Sequence, residues 1–407
     1  MFGETLYFLH ISDLHFANHL ASENQDNFFK ESIKNRGIIC QTADSNVYSI
    51  LKETLDHYLT SISRSGFDGI FLTGDICTDP TNSRSFDHPA QFLFNELYDN
   101  RDIGLNLDPN ITFCVPGNHD KMMEKSMDKY MESIFAPQKQ LNSYGDYLCS
   151  LKLGWGKNIL IYGLNSNRLD IRIPAMGRIN LSQVTTMRNT LSELSQATTV
   201  YWSDKGYTVE KKGNKNQIEK KYAKFDSVLD STFKILLMHH HPTKAIYNEL
   251  MWSKNNISDK FGIATRFMDM IYDQSYDEFI TLLDEYPFDL IIHGHLHFPA
   301  IYNLKKCLVI SGGSTCERTK EGEGQSFNII KVRLWSQPEV EIITFVYQKS
   351  DIIRQFIPYG WAKKRRLSKF LKSRIELHDL KETEVFNTVS SSYYASAQLV
   401  NKIYGNK

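Results

Sequence analysis

The chain has 407 residues, of which 41% are apolar and 23% charged, and this composition is typical of a soluble globular protein rather than a fibrous or disordered one. Its length allows one large core or two ordinary domains. Lysine plus arginine equals aspartate plus glutamate, at 47 each, so no overall field attracts nucleic acid or anionic membrane.

The amino-terminal segment Met1–Thr5 lacks a basic region followed by an apolar stretch and a cleavage site, so we expect no secretory signal. No apolar run approaches the ~20 residues that a membrane-spanning helix needs. The six cysteines are scattered without a CxxC pair, which argues against a zinc ribbon or a disulfide framework. These features predict reduced, mostly buried cysteines and a cytoplasmic protein without membrane contact.

Five short apolar runs have the character of buried strands, and a polar cluster follows each of them. The runs are Leu6–Ile11, Gly69–Thr73, Ile111–Val115, Phe233–Met238 and Leu290–Ile292. Ligands bind at the carboxyl ends of strands in an open sheet, because side chains leaving the core there converge on one rim. We therefore expect the polar clusters to line one cleft.

Helical periodicity predicts several amphipathic helices between these runs. They are Val47–Arg64, Gln91–Tyr98, Lys121–Ile134, Asn180–Leu194 and Arg266–Glu285. Residues 147–164 predict a hairpin, and further strands are expected at 308–310, 327–332 and 340–345. The polar, lysine-rich segment 195–231 predicts a surface insertion, since so long a loop inside a core would leave backbone hydrogen bonds unmade. Residues 351–407 predict a helix followed by a tail.

The first two polar clusters are weak signals when each is taken alone. In Asp13-Leu14-His15, one residue separates a carboxylate from an imidazole, so both side chains lie on one side of an extended strand end. A carboxylate and an imidazole placed in this way can ligate one ion. Gly74-Asp75 permits a tight departure from its strand, although such a pair forms a turn more often than a ligand site.

The third cluster, Gly117-Asn118-His119-Asp120, is more specific. Pro116 and Gly117 end the strand sharply. Asn118 offers a neutral amide oxygen to a hard cation, and His119 is placed to face whatever lies over the metals. Asp120 could orient the imidazole of His119 or could cap the start of a helix, and both alternatives stay open.

Three consecutive histidines, His239 to His241, follow the fourth run and precede Pro242. An HxP spacing selects His240 as the ligand. A shift of one residue would select His239 or His241 instead, because side chains alternate along a strand. The sequence alone does not decide among the three.

The last cluster, Gly294-His295-Leu296-His297, follows the fifth run. Two imidazoles held on one side of an extended segment are costly to leave unpaired and close together, which favours metal binding. His293, immediately before the cluster, is expected to be buried behind the ligands rather than to be one of them.

In this order, the motifs DxH, GDx, GNHD, HxP and GHxH resemble those of the calcineurin-like metallophosphoesterase superfamily, over residues 6 to about 330. The resemblance implies an α/β fold, a four-layer αββα sandwich of two mixed sheets flanked by helices. It places a dinuclear metal site at the carboxyl-terminal rim of the sheets. The catalytic domain would occupy residues 1–350, with a surface insertion at 195–231, and residues 351–407 would form a helical appendage carrying a basic run.

The resemblance also implies roles for individual residues. Asp75 would bridge two ions, together with a water or hydroxide. The remaining ligands would be Asp13, His15 and His297 for one ion and Asn118, His240 and His295 for the other. This mixed ligation suits manganese, iron or zinc, with manganese expected in vitro. The bridging hydroxide would attack phosphorus, with His119 above the phosphate as a catalytic residue and Asp120 beside it.

A narrower resemblance is to the class III cyclic-nucleotide phosphodiesterase branch, in Tyr162–Ser166, Gly177–Ile179 and Gln183. It predicts a hydrolase that cleaves a phosphodiester of a nucleotide-type or other small substrate. Asn165 stands where many relatives in this branch carry an aspartate, so a substrate role is not carried over to it.

Two other functions stay open. A nuclease of the same superfamily would bind DNA or RNA phosphates through the basic segments Lys211–Lys224 and Lys363–Arg374. The second of these functions is that of a catalytically silent interaction module, and the complete set of potential metal ligands argues against it. Residues 351–407 could form a cap over the cleft or a contact in a homodimer.

Overall fold

The computed structural model describes residues 4–16, 45–77, 86–120, 141–152, 158–167, 177–203, 206–211, 229, 232–242, 274–295, 297, 299–316, 325–334, 338–349, 354–365 and 375–378. The strands are β1 (Glu4–Ile11), β2 (Gly69–Leu72), β3 (Thr112–Cys114), β4 (Tyr147–Lys152), β5 (Asn158–Gly163), β6 (Ala197–Ser203), β7 (Gly206–Lys211), β8 (Phe233–Leu237), β9 (Leu290–His293), β10 (Ala300–Leu304), β11 (Cys307–Ser311), β12 (Ser326–Leu334), β13 (Glu339–Lys349), β14 (Arg354–Arg365) and β15 (Ile375–His378). The helices are α1 (Ser45–Ser61), α2 (Asp87–Phe94), α3 (Leu181–Gln196) and α4 (Gln274–Glu285).

Two mixed sheets form the framework. The seven-stranded sheet has the order β15-β14-β13-β12-β1-β2-β3, with β1, β2 and β3 parallel and the other neighbours antiparallel. The six-stranded sheet has the order β10-β11-β9-β8-β5-β4, in which β5, β8, β9 and β11 are parallel and the edge strands antiparallel. This architecture confirms the predicted α/β class with two mixed sheets.

Strand β8 shows how the layers form. Ile235 and Leu237 belong to a core cluster that also contains residues of β1 and β12, in the other sheet. Leu236 and Met238 belong to a second cluster with α3 and α4. Because successive side chains of a strand point to opposite faces, a sheet covered on both faces needs an uninterrupted apolar strand. The apolar run that predicted β8 is therefore what places this sheet between two layers.

The five apolar runs form β1, β2, β3, β8 and β9, with ends within two residues of those predicted. The predicted helices at 47–64 and 180–194 correspond to α1 and α3, and residues 147–164 form the β4–β5 hairpin. The helix predicted at 91–98 begins four residues earlier, at Asp87, and α4 begins at Gln274. The predicted helix Lys121–Ile134 lies outside the described residues.

The helical prediction for the carboxyl-terminal segment is wrong for residues 354–365 and 375–378, which form β14 and β15. Strand β14 pairs with β13 from Glu339↔Lys364 to Lys349↔Arg354, so the seven-stranded sheet continues past the predicted boundary at residue 350. Residues 356–361 are rich in aromatic side chains, which favour strands once a neighbouring strand is available. Only Lys363–Arg365 of the second basic run lies among the described residues.

The segment predicted as a surface insertion contains a two-stranded hairpin, β6–β7, which lies outside both large sheets. Of the basic stretch Lys211–Lys224, the structure describes Lys211 alone. The described cysteines are free thiols, and four of them are buried, with Cys149 partly exposed. None of the described helices is long and apolar enough to cross a membrane.

Buried His10, on β1, gives the fold a defined sensitivity to acid. Its Nε2 lies 2.9 Å from Thr73 Oγ1, and its Nδ1 lies 3.1 Å from Asn328 Nδ2. Burial lowers the pKa of His10 from 6.5 to about 3. Between these two values the unfolded chain binds a proton that the folded chain does not, so stability decreases as the pH falls.

As the pH is lowered from 6.5 to about 3, we expect the unfolding free energy of the wild-type chain to decrease more steeply than that of His10→Gln. The difference should reach ~1.4 kcal/mol per pH unit. Denaturant titrations of the metal-free proteins at constant ionic strength measure both slopes. Equal slopes would show that His10 takes up its proton in the folded state as readily as in the unfolded chain.

Candidate metal centre

The polar clusters meet at the carboxyl ends of the parallel strands. The chain segments leaving β1 and β2 run side by side, since Asp13 N–H donates to Gly74 O and His15 N–H donates to Asp75 O, both at 3.0 Å. Opposite them, His239 follows β8 and His295 follows β9, and Gly294 N–H donates to His239 O at 3.0 Å. Both sheets thus contribute to one rim, as the sequence predicted.

The backbone is strained where it delivers these side chains. Positive φ angles between 50° and 73° occur at Asp13, His15, Asp75, His295 and His297. Such angles are uncommon outside glycine and cost on the order of 1 kcal/mol each or more. Five of the ten described non-glycine residues with positive φ are these cleft residues, which points to a functional reason for holding their side chains in place.

One group of potential ligand atoms comes from Asp13, His15, Asp75 and His297, whose donor atoms all lie within 4.8 Å of one another. His297 Nε2 lies 3.3 Å from Asp13 Oδ1 and 3.2 Å from His15 Nε2. Burial and then the neighbouring His297 lower the pKa of His15 well below its usual value, so His15 is a neutral imidazole, the form that ligates a metal ion.

Asp75 contacts both halves of the site. Its Oδ2 lies 3.9 Å from His15 Nε2 and 3.3 Å from His239 Nε2. Its Oδ1 accepts the backbone N–H of His119 at 2.8 Å. Gly117 permits this approach, because a Cβ there would lie 2.1 Å from Asp75 Oδ1. The carboxylate of Asp75 is therefore placed between two groups of potential ligands.

The second group is centred on His239. Its Nε2 lies 3.0 Å from Asn118 Oδ1 and 3.2 Å from His295 Nδ1, in addition to the contact with Asp75. Two ligand atoms about 2.1 Å from one ion, at right angles, are about 3.0 Å apart. These separations therefore match atoms that share an ion.

The protonation of His239 supports the same conclusion. Its Nδ1 lies 2.6 Å from Thr73 O, an acceptor, so this nitrogen carries the proton and Nε2 presents a lone pair. The oxygens of Asn118 and Asp75 converge on this Nε2, so either a proton or a metal ion must lie between them. Burial by itself would lower the pKa of His239, but the Asp75 carboxylate outweighs burial and raises it to about 9, so a proton is held there when no metal competes. The donor set fits a metal ion.

His240, which the HxP spacing selects, also has a ring nitrogen within 4.8 Å of those of His239 and His295, but its other contacts differ from those of His239. It is fully buried, its Nδ1 lies 2.9 Å from Ser166 Oγ, and its ring centroid is 4.5 Å from that of His295. The contacts with Asp75 and Asn118 belong to His239. Strand β8 pairs with β9 as far as Leu237, and His239 is the first histidine after that pairing.

His119 lies beside the candidate ligands. Its ring packs edge-on against the ring of His15, with centroids 5.0 Å apart, and it is partly exposed. The described groups of clustered ligand atoms do not include it. The catalytic role of His119 stays a prediction.

Asp120 is fully buried, and its carboxylate accepts backbone N–H groups rather than orienting His119. Oδ1 accepts from Ile76 at 2.9 Å and Cys77 at 3.0 Å, and Oδ2 accepts from Gly117 at 3.0 Å. Burial and then the nearby Asp75 carboxylate raise the pKa of Asp120 to about 7. Asp120 thus ties the loop after β3 to the loop after β2, and the helix it was predicted to cap lies outside the described residues.

A buried polar network behind the site includes residues that the sequence did not single out. Asp146 Oδ1 accepts from Gln183 Nε2 at 2.6 Å and from Asn165 N–H at 2.8 Å. Asn167 Nδ2 donates to Gly117 O at 2.8 Å, which fixes the loop that carries Asn118. Neither Asp146 nor Asn167 belongs to a recognisable motif, so only their buried contacts reveal them.

His293 is buried as predicted, with Nε2 3.2 Å from Tyr302 Oη and Nδ1 3.0 Å from Gly294 O. Ser12 also supports the ligands, since its hydroxyl donates to the carboxylate of Asp13. A serine adjacent to a ligating aspartate is too common in sequence to have indicated this contact.

A family model described as calcineurin-like phosphoesterase matches residues 6–299 of the chain. A search of curated proteins finds no match. Among solved structures, the chain is similar to GAP50, the anchor in the inner membrane complex of Plasmodium, at 10% identity and a TM-score of 0.40, over 97% of this chain and 95% of that one.

The chain is also similar to a putative 5'-nucleotidase from Staphylococcus aureus, at 11% identity and a TM-score of 0.38, over 98% of this chain and 58% of that one. A third similar structure is Vps29 from Entamoeba histolytica in complex with zinc, at 11% identity and a TM-score of 0.33, over 87% of this chain and 99% of that one.

Proposed function

The chain belongs to the calcineurin-like phosphoesterase family, and we propose that it is a metal-dependent hydrolase that cleaves a phosphodiester in a nucleotide-type or other small substrate. The observation that carries this proposal is the position of Asp75 Oδ2, between His15 Nε2 at 3.9 Å and His239 Nε2 at 3.3 Å. A carboxylate oxygen shared by two ligand groups is suited to bridging two cations.

The ligand assignment follows from the distances within each group. The first ion would be held by Asp13, His15, Asp75 and His297, and the second by Asp75, Asn118, His239 and His295. His239 takes the place that the HxP spacing gave to His240. Two carboxylates, an amide oxygen and four imidazoles suit manganese, iron or zinc.

Residues beside the ligands would assist the reaction and hold the ligand-bearing loop in place. Two ions bound at such a site lower the pKa of a coordinated water and offset the charge of phosphoryl oxygens. His119, beside the ligands and partly exposed, would protonate the leaving oxygen or stabilise its developing charge. Asp120 and Asn167 would hold the loop carrying Asn118 and His119 in position, through Gly117.

The phosphodiester class rests on the resemblance to class III cyclic-nucleotide phosphodiesterases. Gln183, which contributes to that resemblance, binds Asp146 and the carbonyl of Asn165, so it supports the wall behind the site. Asn165 is itself 6% exposed and donates to Tyr144 O at 3.0 Å, so a direct contact with substrate is not proposed for it.

A substrate panel tests the proposal. The full chain, freed of metal and then loaded with manganese, is incubated with cyclic mononucleotides, bis-para-nitrophenyl phosphate, para-nitrophenyl phosphate, and single- and double-stranded nucleic acid. We expect hydrolysis of the small diesters that requires metal. Cleavage of long nucleic acid alone would favour a nuclease, and cleavage of the monoester alone would favour a phosphomonoesterase. If the protein binds two ions and turns over no substrate, the result would favour an interaction module.

Removal of the His119 side chain should separate catalysis from metal binding. We expect His119→Ala to lower kcat by about 10²- to 10⁴-fold, the range typical of a lost general acid, and to keep the wild-type metal content. Steady-state kinetics and metal analysis by plasma mass spectrometry measure the two effects. His57→Ala, at an exposed histidine on α1, is the control. Simultaneous loss of metal and activity would assign His119 to the ligands.

A further inference from the structure

We infer that His240 is a hydrogen-bond donor toward a phosphoryl oxygen rather than a metal ligand, and that Ser166 is the positioning residue that sets its tautomer. This inference rests on the proposed function, and it adds a substrate contact to it. It is carried by the hydrogen bonds of Ser166, by the unpartnered Nε2 of His240 and by the close approach of Gly177.

Ser166 is fully buried, so its hydrogen bonds are those that the protein provides. Its Oγ accepts the backbone N–H of His239 at 3.3 Å and that of His240 at 3.1 Å. A hydroxyl oxygen has two lone pairs, and these two amides use both. The third contact of Oγ, at 2.9 Å from His240 Nδ1, is therefore made by the serine O–H as donor.

The tautomer of His240 follows from that contact. A neutral imidazole has one N–H and one acceptor nitrogen. Because Nδ1 accepts from Ser166, the proton of His240 resides on Nε2, and this nitrogen has no lone pair for an ion. His239 shows the opposite arrangement, with its proton on Nδ1 facing Thr73 O and its Nε2 lone pair facing the ligands.

The Nε2 atom of His240 is buried and has no hydrogen-bond partner in the part of the chain that the structure describes. An unsatisfied buried donor costs free energy, and such groups are rare where no function uses them. A ring nitrogen of His240 lies within 4.8 Å of those of His239 and His295, which places the imidazole at the second ligand group. A phosphoryl oxygen bound there would supply the missing acceptor.

The absence of a side chain at Gly177 makes room for the ring of His240 in its present orientation. A Cβ on Gly177 would lie 2.3 Å from Cγ and 2.5 Å from Nδ1 of His240, so the backbone at Gly177 packs directly against this ring. The residue after Gly177 is fixed in turn, because Arg178 N–H donates to Ser166 O at 2.7 Å. The ring is thus held between Ser166 and Gly177, which suits a preformed donor.

The first test reads the tautomer directly. The full chain, labelled with ¹⁵N at histidine and loaded with zinc, which is diamagnetic, is studied by long-range ¹H–¹⁵N correlation. We expect the His240 signals of an Nε2–H tautomer in the wild type. Ser166→Ala should lose the single tautomer while keeping the zinc content, and Ser166→Thr, which keeps the hydroxyl, should restore it. An unprotonated, zinc-shifted Nε2 at His240 in the wild type would overturn the inference.

The second test separates donor from ligand with two variants of similar size. His240→Gln can place an amide N–H where Nε2–H was, whereas His240→Leu cannot. We expect both variants to bind two zinc ions, and inorganic phosphate to bind about 10-fold or more weaker to His240→Leu than to His240→Gln, because a hydrogen bond to a charged group is lost. Equal phosphate affinity of the two variants, or loss of one zinc ion from both, would overturn the inference.

These readouts also distinguish failure of this inference from failure of the proposed function. Wild-type protein that binds zinc and phosphate but hydrolyses no diester would contradict the proposed function alone. The tautomer and the phosphate comparison would still decide the role of His240.

Discussion

Replacing Asp75 with asparagine should abolish most of the activity, because the variant removes the one charge shared by both halves of the site. We expect Asp75→Asn to lower the rate at least about a thousandfold, since metal ions supply several kcal/mol of transition-state stabilisation and each 1.36 kcal/mol changes the rate tenfold. The bound metal should fall below two ions per chain. Kinetics with the best diester of the panel and metal analysis measure these effects.

The substitution is suited to the question because asparagine keeps the size of the side chain and an oxygen that can accept from His119 N–H. Circular dichroism and thermal unfolding should therefore show a folded protein. Asp56→Asn, at an exposed carboxylate on α1, is the matched control and should keep wild-type activity. Wild-type affinity for both ions in Asp75→Asn would contradict the bridging role.

His239→Gln is expected to lose one of the two ions and to lower the rate by about a hundredfold or more, while His240→Gln keeps both ions. The reason is that His239 Nε2 is the atom on which Asn118, Asp75 and His295 converge. Removal of such an atom leaves the ion with an incomplete coordination sphere. Even the mutation of groups that only support the ligands lowers metal affinity or activity by about 10- to 100-fold.

Metal titration of the two variants side by side measures this difference. The wild-type protein should show two binding steps, His239→Gln one and His240→Gln two. The reverse result, with His240→Gln losing an ion and His239→Gln keeping both, would show that the spacing to Pro242 decides the ligand and that strand pairing does not.

Much of the fold and of the site was readable from the sequence alone. Apolar runs such as Leu6–Ile11 and Phe233–Met238 predicted strands because a strand buried on both faces is apolar at most of its positions. The polar residues after these runs were predicted to converge because parallel strands end at one rim. Asp13, His15, Asp75, Asn118, His295 and His297 are brought together there. These features depend on the local pattern of apolar and polar residues, so they can be predicted from the sequence.

Other features were decided by contacts between distant parts of the chain. Residues 354–365 form β14 because β13 offers a partner along its whole length, and a helical interpretation of the same segment could not take that partner into account. Asp120 was ambiguous until its carboxylate was seen to accept N–H groups from Ile76, Cys77 and Gly117.

The triple histidine shows most clearly what the sequence determines and what only the tertiary structure decides. The sequence determined that a histidine follows β8 and belongs to the site, but the side chains of His239, His240 and His241 are chemically identical. Thr73 O lies 2.6 Å from Nδ1 of His239 and Ser166 Oγ lies 2.9 Å from Nδ1 of His240, from which we infer opposite tautomers for the two rings. Those partners follow β2 and β5, so the proposal that one histidine binds the metal and the next has a different task rests on the tertiary structure.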